Sequence, residues 1–216
     1  MHRLRTRFRR GEEIKFISHL DIMRLWERAL RRAQIHLAYS EGFSPRPRIS
    51  LAVPLSVGVT GEAELMDVFV TKSVSPHWFT NAVSRQLPHG IEILDVYQIA
   101  PGIPSLQSQV RYAEYEVEVA TEKSSKDIES AISRLLSVEH LPWYHHRDTG
   151  RRSYDLRPLI EDIWLIDWSR SYCTIGMKLR CDNSGSGRPE QVTLALGFTA
   201  YPQSMRRTRL YLRAQV

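Results

Sequence analysis

Residues 3–9 read RLRTRFR, and this heptapeptide decides how the front of the chain is read. Arg3, Arg5, Arg7 and Arg9 fall on one side of an extended chain, Leu4, Thr6 and Phe8 on the other. A helix would scatter both sets around its axis, whereas a strand separates them. The segment therefore reads as a β-strand with one face on a core. Four like charges at a period of two repel one another, and a merely soluble face mixes signs. The stripe suggests an open sheet face carrying positive and aromatic groups, the surface on which several small modules hold single-stranded RNA.

Working outward, Ser18 followed by Asp21 is an Asp version of a helix-capping box. Ile22, Met23, Trp26, Ala29, Leu30 and Ala33 form the apolar stripe of a helix ending near Gln34. Arg24, Arg28, Arg31 and Arg32 lie off that stripe, where Glu27 pairs locally with Arg24 or Arg31 and the helix dipole favours late cations. IHLAY (35–39), ISLAVPL (49–55) and ELMDVFVT (64–71) read as strands. Ser75 and Pro76 open a second helix that stops at Pro88, and IEILDVYQI (91–99) is a strand. The order over residues 1–99 is β-α-β-β-α-β, the split βαβ arrangement of ferredoxin-like domains. After APGIPSLQSQ (100–109) the order restarts with RYAEYEVEV (111–119), KDIESAISRLL (126–136), at least one strand and a turn between Trp143 and Trp168, SYCTIGMKLR (171–180), PEQVTLALGF (189–198) and MRRTRLYLR (205–213). PEQVTLALGF is read as helix, though VTLALGF also suits a strand. The expectation is an α+β protein of two tandem ferredoxin-like halves with antiparallel sheets, 1–100 and 111–216, joined by a linker at 101–110. In the closing strand Arg207, Arg209, Tyr211 and Arg213 share one face, Arg206, Thr208, Leu210 and Leu212 the other.

Composition bounds the function. The chain has 216 residues and a net charge of +6, and residues 1–50 carry eleven Arg and one Lys against five acids. Arginine presents a planar fork that matches phosphate oxygens and stacks on bases, so a local arginine excess points to a polyanionic partner. No apolar run is long enough to span a membrane, and the start lacks the apolar core of a signal peptide, so the chain reads as cytoplasmic. Two cysteines, Cys173 and Cys181, cannot form a disulfide framework or supply an iron–sulfur cluster; both read as buried thiols.

GFSPRPRIS (42–50) alternates Pro45 and Pro47 with Arg46 and Arg48 behind Gly42 and Phe43. Proline restricts its own φ and the residue before it to extended geometry, which makes a stiff rail with both guanidinium groups on one side. Phe43 either anchors this loop in the core or stacks on a base. SHLD (18–21) holds Ser, His and Asp, but a helix start splays them apart, so capping is the reading. HHRD (145–148) with His140 nearby matches no standard metal spacing. NSGSGRP (183–189) lacks the Lys-Ser/Thr of a phosphate loop. In YDLRPLI (154–160), Asp155 and Arg157 form either a structural pair or a second polar rail in which Asp155 aims Arg157 at a ligand.

KFISHLD, GFSPRPRIS, SVGV, YDLRPLI and RTRLYL together resemble the radical-SAM-linked, or radical-SAM-associated, proteins over essentially the whole chain. Members of that family are often fused behind a radical SAM enzyme, and others are separate chains. This chain, without a CxxxCxxC, cannot hold the radical SAM cluster itself. The resemblance implies an accessory module without catalytic activity, cofactor or metal of its own, serving a radical SAM enzyme in trans. Three functions stay open: a module holding RNA or another polyanion for that enzyme; by analogy of fold with CRISPR-repeat endoribonucleases, a metal-independent endoribonuclease with His19, His36 or His145 as base; or a protein-interaction scaffold. The polyanion-binding residues expected are Arg3, Arg5, Arg7, Arg9, Phe43, Arg46, Arg48, Arg157, Arg207, Arg209, Tyr211 and Arg213.

Overall fold

The structure, a computed structural model, describes residues 1–147 and 150–213, with side chains for all of these except 145–147 and 150–152. Its elements are β1 (His2–Arg10), α1 (His19–Arg32), β2 (Ile49–Leu51), β3 (Thr60–Val70), α2 (Pro76–Ser84), β4 (Ile91–Ile99), α3 (Leu106–Gln109), β5 (Val110–Ala120), α4 (Ser125–Ser137), β6 (Pro142–Arg147), β7 (Gly150–Asp155), β8 (Ile160–Trp168), β9 (Tyr172–Asp182), β10 (Gly185–Ser186), α5 (Pro189–Ala195) and β11 (Ser204–Leu212). They make a mixed α+β protein on mostly antiparallel sheet and divide into two compact units, Met1–Val110 with Arg213, and Arg111–Leu212.

In the first unit the strand order is β4-β1-β3-β2, every pairing antiparallel. Alternation in β1 sets the faces: Leu4, Thr6 and Phe8 are fully or almost fully buried. They lie beneath α1, whose Ile22, Trp26, Ala29 and Leu30 are buried in turn; the Phe8 and Trp26 rings meet edge to face at 5.0 Å. Ser18 caps α1 by accepting from the Asp21 amide, which accounts for SHLD. β2 is only three residues long because Pro47 and Pro54 bracket it.

On the other face of this sheet Arg3 and Arg5 are not open, while Arg7 and Arg9 are exposed. In the β1–β3 register Arg5 lies opposite Asp67, and across β1–β4 Arg7 lies opposite Asp95 and Arg9 opposite Glu92. Asp67, 1% exposed, accepts from Arg5 Nε at 2.7 Å and from Arg3 Nε at 2.7 Å. Burial disfavours the Arg5 charge, but the hydrogen bond and charge of Asp67 outweigh it and hold Arg5 above arginine's ordinary range. The Pro/Gly/Ser-rich stretch read as a linker belongs to this unit: Arg3 donates to the carbonyls of Ile103 at 2.8 Å and Pro104 at 2.9 Å, and Gln109, 6% exposed, donates to Pro104 at 2.6 Å.

In the second unit the order is β11-β5-β9-β8, with β10 on the end of β9 and β6–β7 as a separate hairpin. The segment 189–195 is helix, with Pro189 in its first turn. The inward residues of β5 and β9, among them Val117, Val119, Ile175 and Met177, are fully buried, as are Cys173 and Cys181 or nearly so. The outward residues form a mosaic of both signs, with Glu114 opposite Lys178 in register and Glu116 paired with Arg206. On the same face Gly176 lies under the Trp164 ring, where a Cβ would stand 2.1 Å from the indole.

Replacing Asp67 by Asn leaves two arginines facing a neutral amide in a dry site. The expected loss is about 3–5 kcal/mol, read as a lower urea midpoint. The triple change Arg3→Met, Arg5→Met and Asp67→Leu should recover most of that loss; if D67N melts like the parent, the ion triad does not hold this sheet together.

Candidate nucleic-acid interface

The prolines of GFSPRPRIS build one arm of a narrow loop. Tyr39 bridges Pro47, the Ser40 amide donates to the Arg46 carbonyl at 2.9 Å, and the Arg48 amide donates to the Ala38 carbonyl at 2.8 Å. A side-chain bond closes the stem, the Arg46 amide donating to Ser40 Oγ at 3.0 Å. Gly42 turns the tip at φ +115°, a region side chains rarely adopt. Phe43 follows and is not a core anchor: it is 110% exposed relative to the reference residue.

From this loop a run of guanidinium groups and aromatic rings can be followed by contact. Arg31 of α1 lies 6.0 Å from the Tyr39 ring and donates to its hydroxyl at 3.2 Å. Arg48 lies over the Phe69 ring at 4.6 Å, and Arg3 approaches the same ring at 5.7 Å. Beside Phe69 a cleft of about 610 Å³ opens among His2, Arg3, Gln98, Ile99 and Ile103. Arg28, Arg32 and Arg46 are exposed and form no ion pair among the described residues. Residues 21–48 carry six arginines against three acids, Asp21, Glu27 and Glu41, of which Asp21 is engaged by Arg24 at 3.2 Å and Glu27 by Arg31 at 2.8 Å. The result is a basic, aromatic surface on one helix and one stiff loop, which can neutralise phosphates and stack on bases.

The residues expected from the sequence divide by what lies next to them. Arg46, Arg48 and Phe43 are exposed together on the loop. Arg7 is exposed on β1, and Arg9 is tied to Glu62 at 2.9 Å and Glu92 at 3.3 Å. Arg3 and Arg5 are engaged by Asp67, which corrects the expectation of an open arginine stripe. Arg207 is 1% exposed and cannot meet a ligand either. Arg209 is exposed and stacks over Tyr211 at 5.6 Å, while Tyr211 donates to Glu114 at 2.6 Å and also receives Lys178 at 4.8 Å. Arg213 is exposed, its amide bound to the Gln109 carbonyl at 2.7 Å. Arg157 is not a rail. Its guanidinium donates to the carbonyls of Leu136 at 2.9 Å, Val138 at 3.2 Å and Ile160 at 2.7 Å, and so caps the end of α4. Asp155 turns back on its own loop, accepting from the Leu141 and Arg157 amides at 2.8 and 3.0 Å with His140 Nδ1 at 2.8 Å; the His140 bond and then the Leu141 amide hold it below the usual carboxylate range.

For the catalytic alternative, His19 is half-buried at the start of α1 and His36 is exposed, and neither ring has a carboxylate or hydroxyl partner among the described residues. The side chains of His145, His146 and Asp148 lie outside the described residues. Among the described residues no three His, Cys, Asp or Glu side chains group as metal ligands, and no helix is long and apolar enough to cross a membrane. Burial pushes the Cys173 thiol up to about 11.

Sequence reasoning left Arg28, Arg32, Tyr39 and Phe69 out of the interface. The signal was present, four arginines off the apolar stripe of α1, but local pairing explained them equally well.

Residues 3–189 match the family described as "Uncharacterized protein conserved in bacteria" (DUF2344). The chain belongs to this bacterial family. Its description names no partner enzyme, so the resemblance to radical-SAM-linked proteins is carried by the motifs alone. No curated protein matches the chain. Among solved structures it is similar to a chain of a Cbf5-Nop10-Gar1 complex, at 10% identity over 94% of this chain and 48% of that one, with a TM-score of 0.53. It is also similar to a chain of an H/ACA RNP bound to a substrate RNA containing 2′-deoxyuridine, at 10% identity over 94% and 47%, with a TM-score of 0.49. The chain spans about half the length of these proteins. At that identity the first likeness shows the fold and nothing of function.

Two outcomes test the structural roles assigned here. Arg157→Met should lower stability by roughly 2 kcal/mol, because three carbonyls lose their donor, and should leave the affinity of the folded protein for polyanions unchanged. Cys173 should resist iodoacetamide at pH 8 in the folded protein and react once urea unfolds it; labelling at the rate of a free thiol would contradict its burial.

Proposed function

We propose that this protein is a non-catalytic binding module that holds RNA, through its phosphates and bases, for a separate radical SAM enzyme. The observation that carries the polyanion reading is the set of exposed arginines on α1 and the 40–48 loop, interleaved with Tyr39, Phe43 and Phe69 and short of acids. The radical SAM partner rests on the resemblance of KFISHLD, GFSPRPRIS and YDLRPLI. The fold reading is two ferredoxin-like halves. Supporting it, each unit runs strand-helix-strand-strand-helix-strand, with its last, first, third and second sheet strands side by side. A scaffold that docks on acidic protein surfaces would use the same arginines and rings, and the salt titration on RNA separates the two.

The test is titration of a labelled single-stranded RNA at several salt concentrations. Each phosphate neutralised on a single strand contributes about −0.7 to the slope of log K against log salt. Arg46→Gln with Arg48→Gln should therefore weaken binding and flatten the slope by roughly 1.4, with little change in thermal stability. Arg9→Gln, whose charge is already matched by Glu62 and Glu92, should leave the slope where it is. Equal slopes for the parent and the double variant would exclude the loop from any phosphate contact.

A further inference from the structure

Phe43 is the most exposed large apolar side chain described, standing at the tip of a loop whose stem is pinned on both sides. Water-exposed phenyl surface is unfavourable, and covering such a ring is favourable. The presentation is rigid. Gly42 supplies a turn at φ +115°, Pro45 and Pro47 stiffen the descending arm, and Ser40 ties that arm to the ascending one at the Arg46 amide. A side chain ordered in advance loses little entropy on contact.

The surroundings select what the ring meets. Arg46 and Arg48 follow it three and five residues on in the same loop, Arg48 over the Phe69 ring, and Arg31 contacts Tyr39 in the stem. This is the chemistry of a phosphodiester backbone with a base at its end. A lipid surface fits less well. One aromatic ring gives only marginal membrane affinity, and the exposed Glu41, two residues before Phe43, would be driven toward anionic headgroups. The same carboxylate can accept from the exocyclic amines of bases, which an unpaired strand displays. A paired base is stacked on both sides, and the deep major groove of an RNA duplex does not admit a loop tip.

Resting on the RNA-binding reading above, we propose that Phe43 is a stacking wedge that selects RNA with an unpaired base. The arginines hold the strand, and the ring distinguishes unpaired from paired.

The experiment compares the full chain and its Phe43→Ala and Phe43→Trp variants on three probes: a labelled 12-nucleotide RNA strand, the same strand as a blunt duplex, and vesicles of phosphatidylcholine with phosphatidylserine. Base–aromatic stacking predicts that F43A loses roughly 5- to 100-fold on the single strand, with an unchanged salt slope because no charge is removed. F43W should keep the parent's affinity, and the duplex should bind more weakly than the strand and respond to neither change. Thermal melts should coincide, since Phe43 makes no core contact. If F43A binds the strand as tightly as the parent while the salt slope persists, the wedge is wrong and the arginine surface stands. If the parent binds neither RNA in a salt-dependent way, the RNA-binding reading itself fails. If F43A loses only vesicle binding, the tip is a lipid anchor and the proposal is overturned.

Discussion

One buried carboxylate governs the first unit. Asp67 is removed from water and held between Arg3 and Arg5, two residues that share a face of β1. An ion in such a site is tolerated only with its counterions in place, because desolvation otherwise exceeds any attraction gained. The triad therefore makes the β1–β3 register unforgiving. A slip of β1 by one residue would turn Leu4 and Phe8 outward, send Arg3 and Arg5 to the core face and leave Asp67 without them. Arg3 extends the same constraint to the 103–104 carbonyls, which draws the Pro/Gly/Ser-rich stretch onto the outer face of the sheet.

This constraint decides where function can reside. The strand that looked most like a polyanion surface is largely used by structure: Arg3, Arg5 and Arg9 are matched by Asp67, Glu62 and Glu92, and Arg7 alone of the stripe is exposed without an ion pair among the described residues. Cationic groups are left for a ligand on α1 and the 40–48 loop, where acids are few. The two classes of arginine differ in physics as well as place. A buried arginine paired with a carboxylate contributes to the fold, and its field is largely cancelled. An exposed one outside any ion pair among the described residues, such as Arg28, Arg32 or Arg46, keeps its hydrogen-bond donors for phosphate.

The second unit resolves its charges differently. On its outer face Glu114, Glu116, Lys178, Arg206 and Tyr211 satisfy one another, so the closing strand presents a balanced surface rather than a positive one. Arg157 shows how far a motif can mislead. Arginine before proline in an extended stretch looks like the loop at 45–48, yet its guanidinium spans three carbonyls near the end of a helix. The backbone needed a donor there, and arginine's fork reaches three acceptors at once.

Much of the fold was legible without coordinates. Periodicity placed β1, α1 and α4, and capping residues placed the starts of α1 and α2. Alternation correctly assigned Leu4, Thr6 and Phe8 to the core. These are local properties, set by residues a few positions apart. What the arginines face is not local. Asp67 is 62 residues from Arg5, and Glu92 is 83 from Arg9. Alternation tells which side of a strand a residue takes, and only the pairing of distant strands decides whether that side meets water or an acid. The stiffness of the 42–48 loop could be read from its prolines, but the exposure of Phe43 could not, since a ring beside a turn can face either way until the stem is paired.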